Sequence, residues 1–129
     1  MNRRAISTSA APAAVGPYSQ AIVTNDFVFC SGQVGLDTAT GELVPGGLEA
    51  QTERVIRNLE AVLQAAGVKL SDVVKTTCFL ADINDFVTFN GIYARFMPDP
   101  PPARSTFAVK ALPKAALVEI EAIAVRAGD

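Results

Sequence analysis

The last apolar run of the chain, Leu117 to Arg126, constrains the fold most, because its two faces need different neighbours. Alternate residues of a strand point to opposite sides. Val118, Ile120, Ala122 and Ala124 therefore form one wholly apolar face, which needs helices over it. Leu117, Glu119, Glu121, Ile123 and Val125 form the other, where apolar bulk is mixed with two carboxylates.

Earlier segments repeat the pattern. Tyr18 to Thr24 and Phe27 to Val34 read as strands of a hairpin turning at Asn25-Asp26. In the second, Phe27, Phe29, Ser31 and Gln33 share one face and Val28, Cys30, Gly32 and Val34 the other. Val73 to Ala81 is again apolar on both sides, and Ser105 to Ala111 supplies a further strand. Between them, Val55, Ile56, Leu59, Val62, Leu63 and Ala66 recur at helical spacing over Leu48 to Ala66, with Gly67 as the stop. A second helix is expected over Asp85 to Met97, capped by Asn84 and ended by Pro98, with Phe86, Phe89, Tyr93, Phe96 and Met97 as its core stripe. Gly91 inside it costs about 1 kcal/mol relative to alanine, which predicts a close backbone approach there. Two helices cover only one face of such a sheet, so the fold class is α+β and the second face calls for other subunits.

The 129 residues make one domain's worth of chain. Residues 1–129 are expected to form a single domain, with 1–15 as an N-terminal arm ahead of the compact core. Half of the residues are hydrophobic and 19% charged, a surface short of charge that fits a subunit contact. The net charge is −2 and the eleven Lys and Arg are scattered. Nucleic acid is not an expected partner, because no basic stripe is present to neutralise phosphates.

Histidine is absent, which removes imidazole catalysis and the commonest metal ligand. Cys30 and Cys78 show no metal-binding spacing and lie in apolar runs, so no metal site is expected and both read as buried, reduced thiols. No segment has the length of a membrane span. The first fifteen residues hold Arg and Ser and no acid, as transit peptides do, but the expected location is cytoplasmic.

Chemistry concentrates at Pro100-Pro101-Pro102-Ala103-Arg104. Each proline fixes φ and biases the preceding residue to extended geometry, so Arg104 is delivered on a stiff backbone. An arginine where a loop enters a strand is usually a solvated surface residue. Held stiffly, the same guanidinium is a planar fork of donors that fits a carboxylate. Glu119 and Glu121, embedded in the final strand, are either an ion pair at a subunit contact or an acid–base group tuned by burial and a nearby arginine. Tyr18 can wall a pocket and donate from its hydroxyl. The pair Ser31-Gly32 is unusual in a strand, and the glycine leaves room for a ligand or another backbone. Ser31 has no base partner for nucleophilic chemistry. Asn90 either satisfies a neighbouring backbone group or shapes a site.

Gly16-Pro17-Tyr18-Ser19-Gln20-Ala21, Ser31-Gly32-Gln33, Thr76-Thr77 with Asp85-Phe86, Pro102-Ala103-Arg104-Ser105 and Val118 through Ala124 together resemble the RidA/YjgF family of imine and enamine deaminases. The resemblance runs from about Ala10 to the C-terminus. It implies a chorismate-mutase-like α+β subunit, a β-sheet backed by two helices, assembled as a homotrimer with pockets between subunits. It also implies hydrolysis of 2-imino acids such as 2-iminopropionate and 2-iminobutyrate to 2-oxo acids and ammonia, with no cofactor. By the same resemblance Arg104 binds the substrate carboxylate, Glu119 directs the water and Tyr18 lines the pocket. Ser31, Gly32 and Asn90 match positions that line or support it. Thr106 stands where a well-known form of the pattern has cysteine, which takes away any mechanism or redox regulation that uses that thiol but leaves Thr106 a substrate-binding role through its backbone. Two other readings stand beside this one: a non-catalytic trimer that binds small carboxylates or a protein, and an endoribonuclease or translation inhibitor, against which the acidic balance and lack of histidine argue.

Overall fold

The computed structural model describes residues 2–127. Six strands form one sheet in the order β1-β2-β3-β6-β4-β5, from β1 (Arg4–Ile6), β2 (Ala21–Val23), β3 (Phe27–Val34), β4 (Val73–Leu80), β5 (Ala103–Ala108) and β6 (Val118–Val125). Only β4 and β5 pair in parallel; the other neighbours are antiparallel. Helix α1 (Gly47–Ala65) links β3 to β4, and α2 (Phe86–Ala94) links β4 to β5. The architecture is the expected α+β arrangement of a sheet with two helices.

Helix α1 buries Val55, Ile56, Leu59, Val62 and Leu63, and Val118, Ile120, Ala122 and Ala124 of β6 are buried beneath the helical layer. The helix stops as its sequence directs. Gly67 turns left-handed at φ 83°, and the Val68 and Gly67 amides donate to the carbonyls of Leu63 and Gln64, which satisfies groups the helix end would leave bare. Val68 is buried there.

The N-terminal arm contains a strand the sequence does not announce: Arg4–Ile6 pairs with β2, and Ile6 and Ala11 join the core. Gln20 ties the rest of the arm down. Its amide oxygen accepts from the Thr8 amide at 2.7 Å, and its Nε2 donates to the Thr8 and Pro12 carbonyls at 3.1 and 2.8 Å.

Four expectations change. Asn84 does not cap α2. A 3₁₀ turn at Ile83–Asp85 precedes the helix, and the Asp82 carboxylate accepts from the Asn84 amide at 2.9 Å. Helix α2 ends at Ala94, three residues short of the expected Met97; the chain leaves it through a tightened turn in which the Phe96 and Met97 amides both donate to the Tyr93 carbonyl, and Pro98 follows directly. Gly91 has no close neighbour, since a Cβ there would meet nothing within 4 Å. Finally, Gln33 does not share a face with Phe27 and Phe29. The β3–β6 register shifts between Cys30 and Gln33, so three steps on β3 oppose two on β6. This bulge turns Gln33 inward, where it is buried.

The sheet face away from the helices is bare. Phe27, Phe29, Phe107 and Val125 are all exposed on it, and Phe107 meets Phe79 edge to face at 5.3 Å between ring centroids. A monomer rarely shows so many contiguous aromatic and branched side chains to water.

Candidate active site

Arg104 lies within β5, where it pairs with Thr76 of β4, and Thr106 pairs with Cys78. Thr76 and Cys78 are buried, so this side of β5 faces α2. The helix receives the arginine on three rings and an amide. The guanidinium carbon stands 4.9 Å from the Tyr93 ring centre and 5.7 Å from those of Phe86 and Phe89. Nη2 donates to Asn90 Oδ1 at 2.7 Å. Phe86, Asn90 and Tyr93 are spaced by four and three residues, which places them on one face of α2. Tyr93 is fixed in turn by a 2.7 Å hydrogen bond between its hydroxyl and that of Thr76, and burial raises its phenol above the ordinary range.

The ion pairs among the described residues are Arg57–Glu60 and Arg95–Glu49. Arg104 therefore has no carboxylate partner among them. One edge of its fork is occupied by Asn90 and the guanidinium is braced from below, an arrangement that holds a cation ready for an anionic ligand. Thr106 Oγ1, two residues on, is buried without a hydrogen-bond partner.

Glu119 belongs to the opposite side of the sheet. A cavity of about 560 Å³ is lined there by Tyr18, Ser31, Gly32, Lys114, Glu119 and Glu121, among others. The bulge brings Gly32 under the Glu119 side chain so closely that a Cβ would lie inside its carboxylate. Burial first, and the neighbouring Glu121 charge second, raise the Glu119 carboxyl above its usual range. The arginine expected to offset this is absent from that side. Ser31 lines the cavity, but its hydroxyl donates to the Ser19 carbonyl at 2.6 Å, so it fixes the loop that carries Tyr18. Tyr18 lies in that loop, ahead of β2, and its hydroxyl accepts from the Val15 amide at 3.3 Å.

Two separate clusters result. Asn90, Arg104 and Thr106 come together on the helix side, and Tyr18, Ser31, Gly32 and Glu119 on the bare side; within the single chain they do not meet. Phe89 and Tyr93 are buried in the core with Phe86 packed against it, as the sequence stripe indicates. Sequence reading missed that the same rings cradle Arg104; their shared spacing with Asn90 was the signal. It also missed Lys114, which lines the cavity from a left-handed backbone at φ 57°. Among the described residues no group of three or more His, Cys, Asp and Glu is placed to hold a metal ion, and no helix is long and apolar enough to cross a membrane.

The geometry defines a class: a two-layer α+β chain with a braced guanidinium on one side of its sheet and a separate carboxylate-lined cavity on the other. Comparison with known proteins narrows the class. A sequence profile described as endoribonuclease L-PSP matches residues 8–126. The mouse 2-iminobutanoate/2-iminopropanoate deaminase is 51% identical over 124 residues, covering 96% of this chain and 92% of that protein. The crystal structure of RidA from the Antarctic bacterium Psychrobacter sp. PAMC 21119 superposes with a TM-score of 0.91 at 45% identity, over 95% of this chain and 99% of that one. Escherichia coli TdcF, solved with bound serine, gives 0.89 at 41% identity, over 96% and 99%. The chain belongs to the endoribonuclease L-PSP family, the RidA/YjgF family.

Proposed function

We propose that this chain hydrolyses 2-imino acids and their enamine tautomers, such as 2-iminopropionate and 2-iminobutyrate, to 2-oxo acids and ammonia. The observation that carries the reading is the Arg104 guanidinium, braced and without a carboxylate partner among the described residues, in a chain whose relatives are named as deaminases of such imines. The bare sheet face supports a chorismate-mutase-like homotrimer. In that assembly Arg104 of one subunit faces the Tyr18–Glu119 cavity of its neighbour, and each active site is completed between subunits.

Arg104 binds the substrate carboxylate through the edge that Asn90 leaves free. Tyr18 covers the imine, and Glu119 holds a water against the imine carbon. As the water oxygen bonds to that carbon, the C=N π pair moves to nitrogen and a water proton passes to the Glu119 carboxylate. Glu119 returns the proton to the amine. The C–N bond then breaks as an oxygen lone pair closes the carbonyl, the hydroxyl proton leaves, and ammonia departs to become ammonium. A protonated imine is already electrophilic, so the protein's main work is to orient it and the water. No cofactor is required. The two unpaired cysteines suit a reducing compartment, in line with a cytoplasmic location.

The test is release of 2-oxo acid from 2-iminopropionate and 2-iminobutyrate generated in situ, with semicarbazide as the competing trap. Acceleration that disappears in Arg104→Ala is expected. No acceleration by wild-type protein, with saturable 2-oxo acid binding intact, would instead identify a carboxylate-binding module.

A further inference from the structure

The imine carbon of a 2-imino acid is bonded directly to its carboxylate carbon, and the side chain starts one bond further on. Whatever surrounds the carboxylate receptor therefore selects the side chain. On the helix side of β5, Arg104 and Asn90 open onto a groove of about 430 Å³. Its walls are the Tyr93 ring, Ala94, Met97, Pro98, Pro101 and Pro102, with Asp99 beside them. Apolar side chains make up most of the lining, with Asn90, Asp99 and Arg104 as its charged and amide members. The prolines are conformationally fixed before any ligand arrives, which lowers the entropy cost of binding. Met97 is the adaptable element, because an unbranched thioether fits irregular shapes.

We propose that this groove receives the substrate side chain, so that the chain prefers 2-imino acids with extended apolar side chains, of the kind derived from leucine, norleucine or methionine, over 2-iminopropionate. The inference rests on Arg104 being the carboxylate receptor. A cation at one end and an apolar trough beside it match an amphiphilic carboxylate. A substrate whose side chain stops at a methyl group leaves the trough empty. Asp99 repels a second carboxylate, so imines of dicarboxylic amino acids are poor substrates. Each methylene buried in the trough raises kcat/KM by about threefold to fourfold.

The experiment measures kcat/KM on 2-iminopropionate, 2-iminobutyrate, 2-iminopentanoate, 2-iminohexanoate and 2-imino-4-methylpentanoate, each generated in situ by an amino-acid oxidase. The wild-type series is expected to climb with chain length. Met97→Trp and Ala94→Trp, two independent ways of filling the trough, are expected to lower the ratio of 2-iminohexanoate to 2-iminopropionate at least tenfold. Taking the ratio within each variant cancels any loss of folded protein. A flat or falling wild-type series, with Arg104-dependent turnover of 2-iminopropionate, overturns the groove assignment while the deaminase reading stands. Ratios unchanged in both variants overturn it equally. Absence of turnover on every imine removes the deaminase reading and this inference together.

Discussion

Asn90 Oδ1 accepts from the Arg104 guanidinium at 2.7 Å, so α2 sets the direction in which the β5 arginine points. The proposed carboxylate grip depends on that direction. Asn90→Ala is expected to raise KM for 2-iminobutyrate and lower kcat/KM by about 10- to 100-fold, the cost of losing a hydrogen bond to a charged group. Asn90→Asp gives Arg104 an internal counter-ion and should weaken carboxylate binding further. Steady-state kinetics on both variants, beside their melting curves, separates lost aim from lost fold.

Arg104 and Glu119 occupy opposite sides of one sheet, so the proposed site needs two subunits. Arg104→Ala and Glu119→Gln should each be inactive as pure proteins. Unfolded together in equal amounts and reassembled, they should regain activity at about a quarter of the sites, since random neighbours join an intact Arg104 to an intact Glu119 that often. Failure of the mixture to regain activity, with trimers reformed, would require both groups to act within one subunit.

The bare sheet face makes a prediction about mass. Phe107→Asp places a charge against Phe79 on that face and should give a particle of 13.5 kDa by light scattering. Wild type should give roughly 40 kDa, three subunits.

The pH dependence follows from the Glu119 environment. Burial and the Glu121 charge raise its carboxyl, so the base form is lost at higher pH than for an exposed glutamate, and kcat/KM falls as pH drops through that raised value. Glu121→Gln removes one of the two causes and should move this acid limb to lower pH. Stability runs the other way. The folded state holds the proton more tightly than the unfolded chain, so the favourable contribution is complete below the ordinary glutamate value of about 4.3 and is lost as pH rises through the folded value. Glu119→Gln should therefore melt higher than wild type at neutral pH, with the difference closing near about pH 4. Thermal melts across the range check this.

Gly32 separates geometry from stability. Gly32→Ala pushes against the mobile end of Glu119, not against backbone. Melting temperature should change little, while turnover falls by about 10²-fold, because the displaced Glu119 carboxylate loses its proposed alignment with the water.

Helical spacing and strand alternation were enough to locate both helices, the core face of β6 and the demand for a second cover, because burial forces those patterns on the sequence. Other features leave no such trace. Arg4–Ile6 is three residues long and becomes a strand only because β2 lies beside it. The turning of Gln33 depends on a register shift against β6, which local alternation does not encode. Residue chemistry singled out Arg104, Asn90, Tyr18, Gly32 and Glu119, and the motif resemblance supplied the roles expected of them. Neither supplied their division between two faces, since it depends on strand pairing as well as residue type. Phe86, Phe89 and Tyr93 belong to the core as their spacing indicates, and their second role against Arg104 was hidden for a related reason: an aromatic ring that also braces a guanidinium has the same helical spacing as one that only fills a core.

Burial pushes the Cys30 thiol up to about 12 and the Cys78 thiol up to about 11. Reaction with a disulfide or maleimide reagent proceeds through the thiolate, so neither sulfur reacts until its part of the sheet opens. Cys30 sits on β3 and Cys78 on β4, separated by β6. The two thiols thus act as built-in clocks for opening on either side of the β6 strand, and the ratio of their labelling rates reports which half of the sheet lets go first.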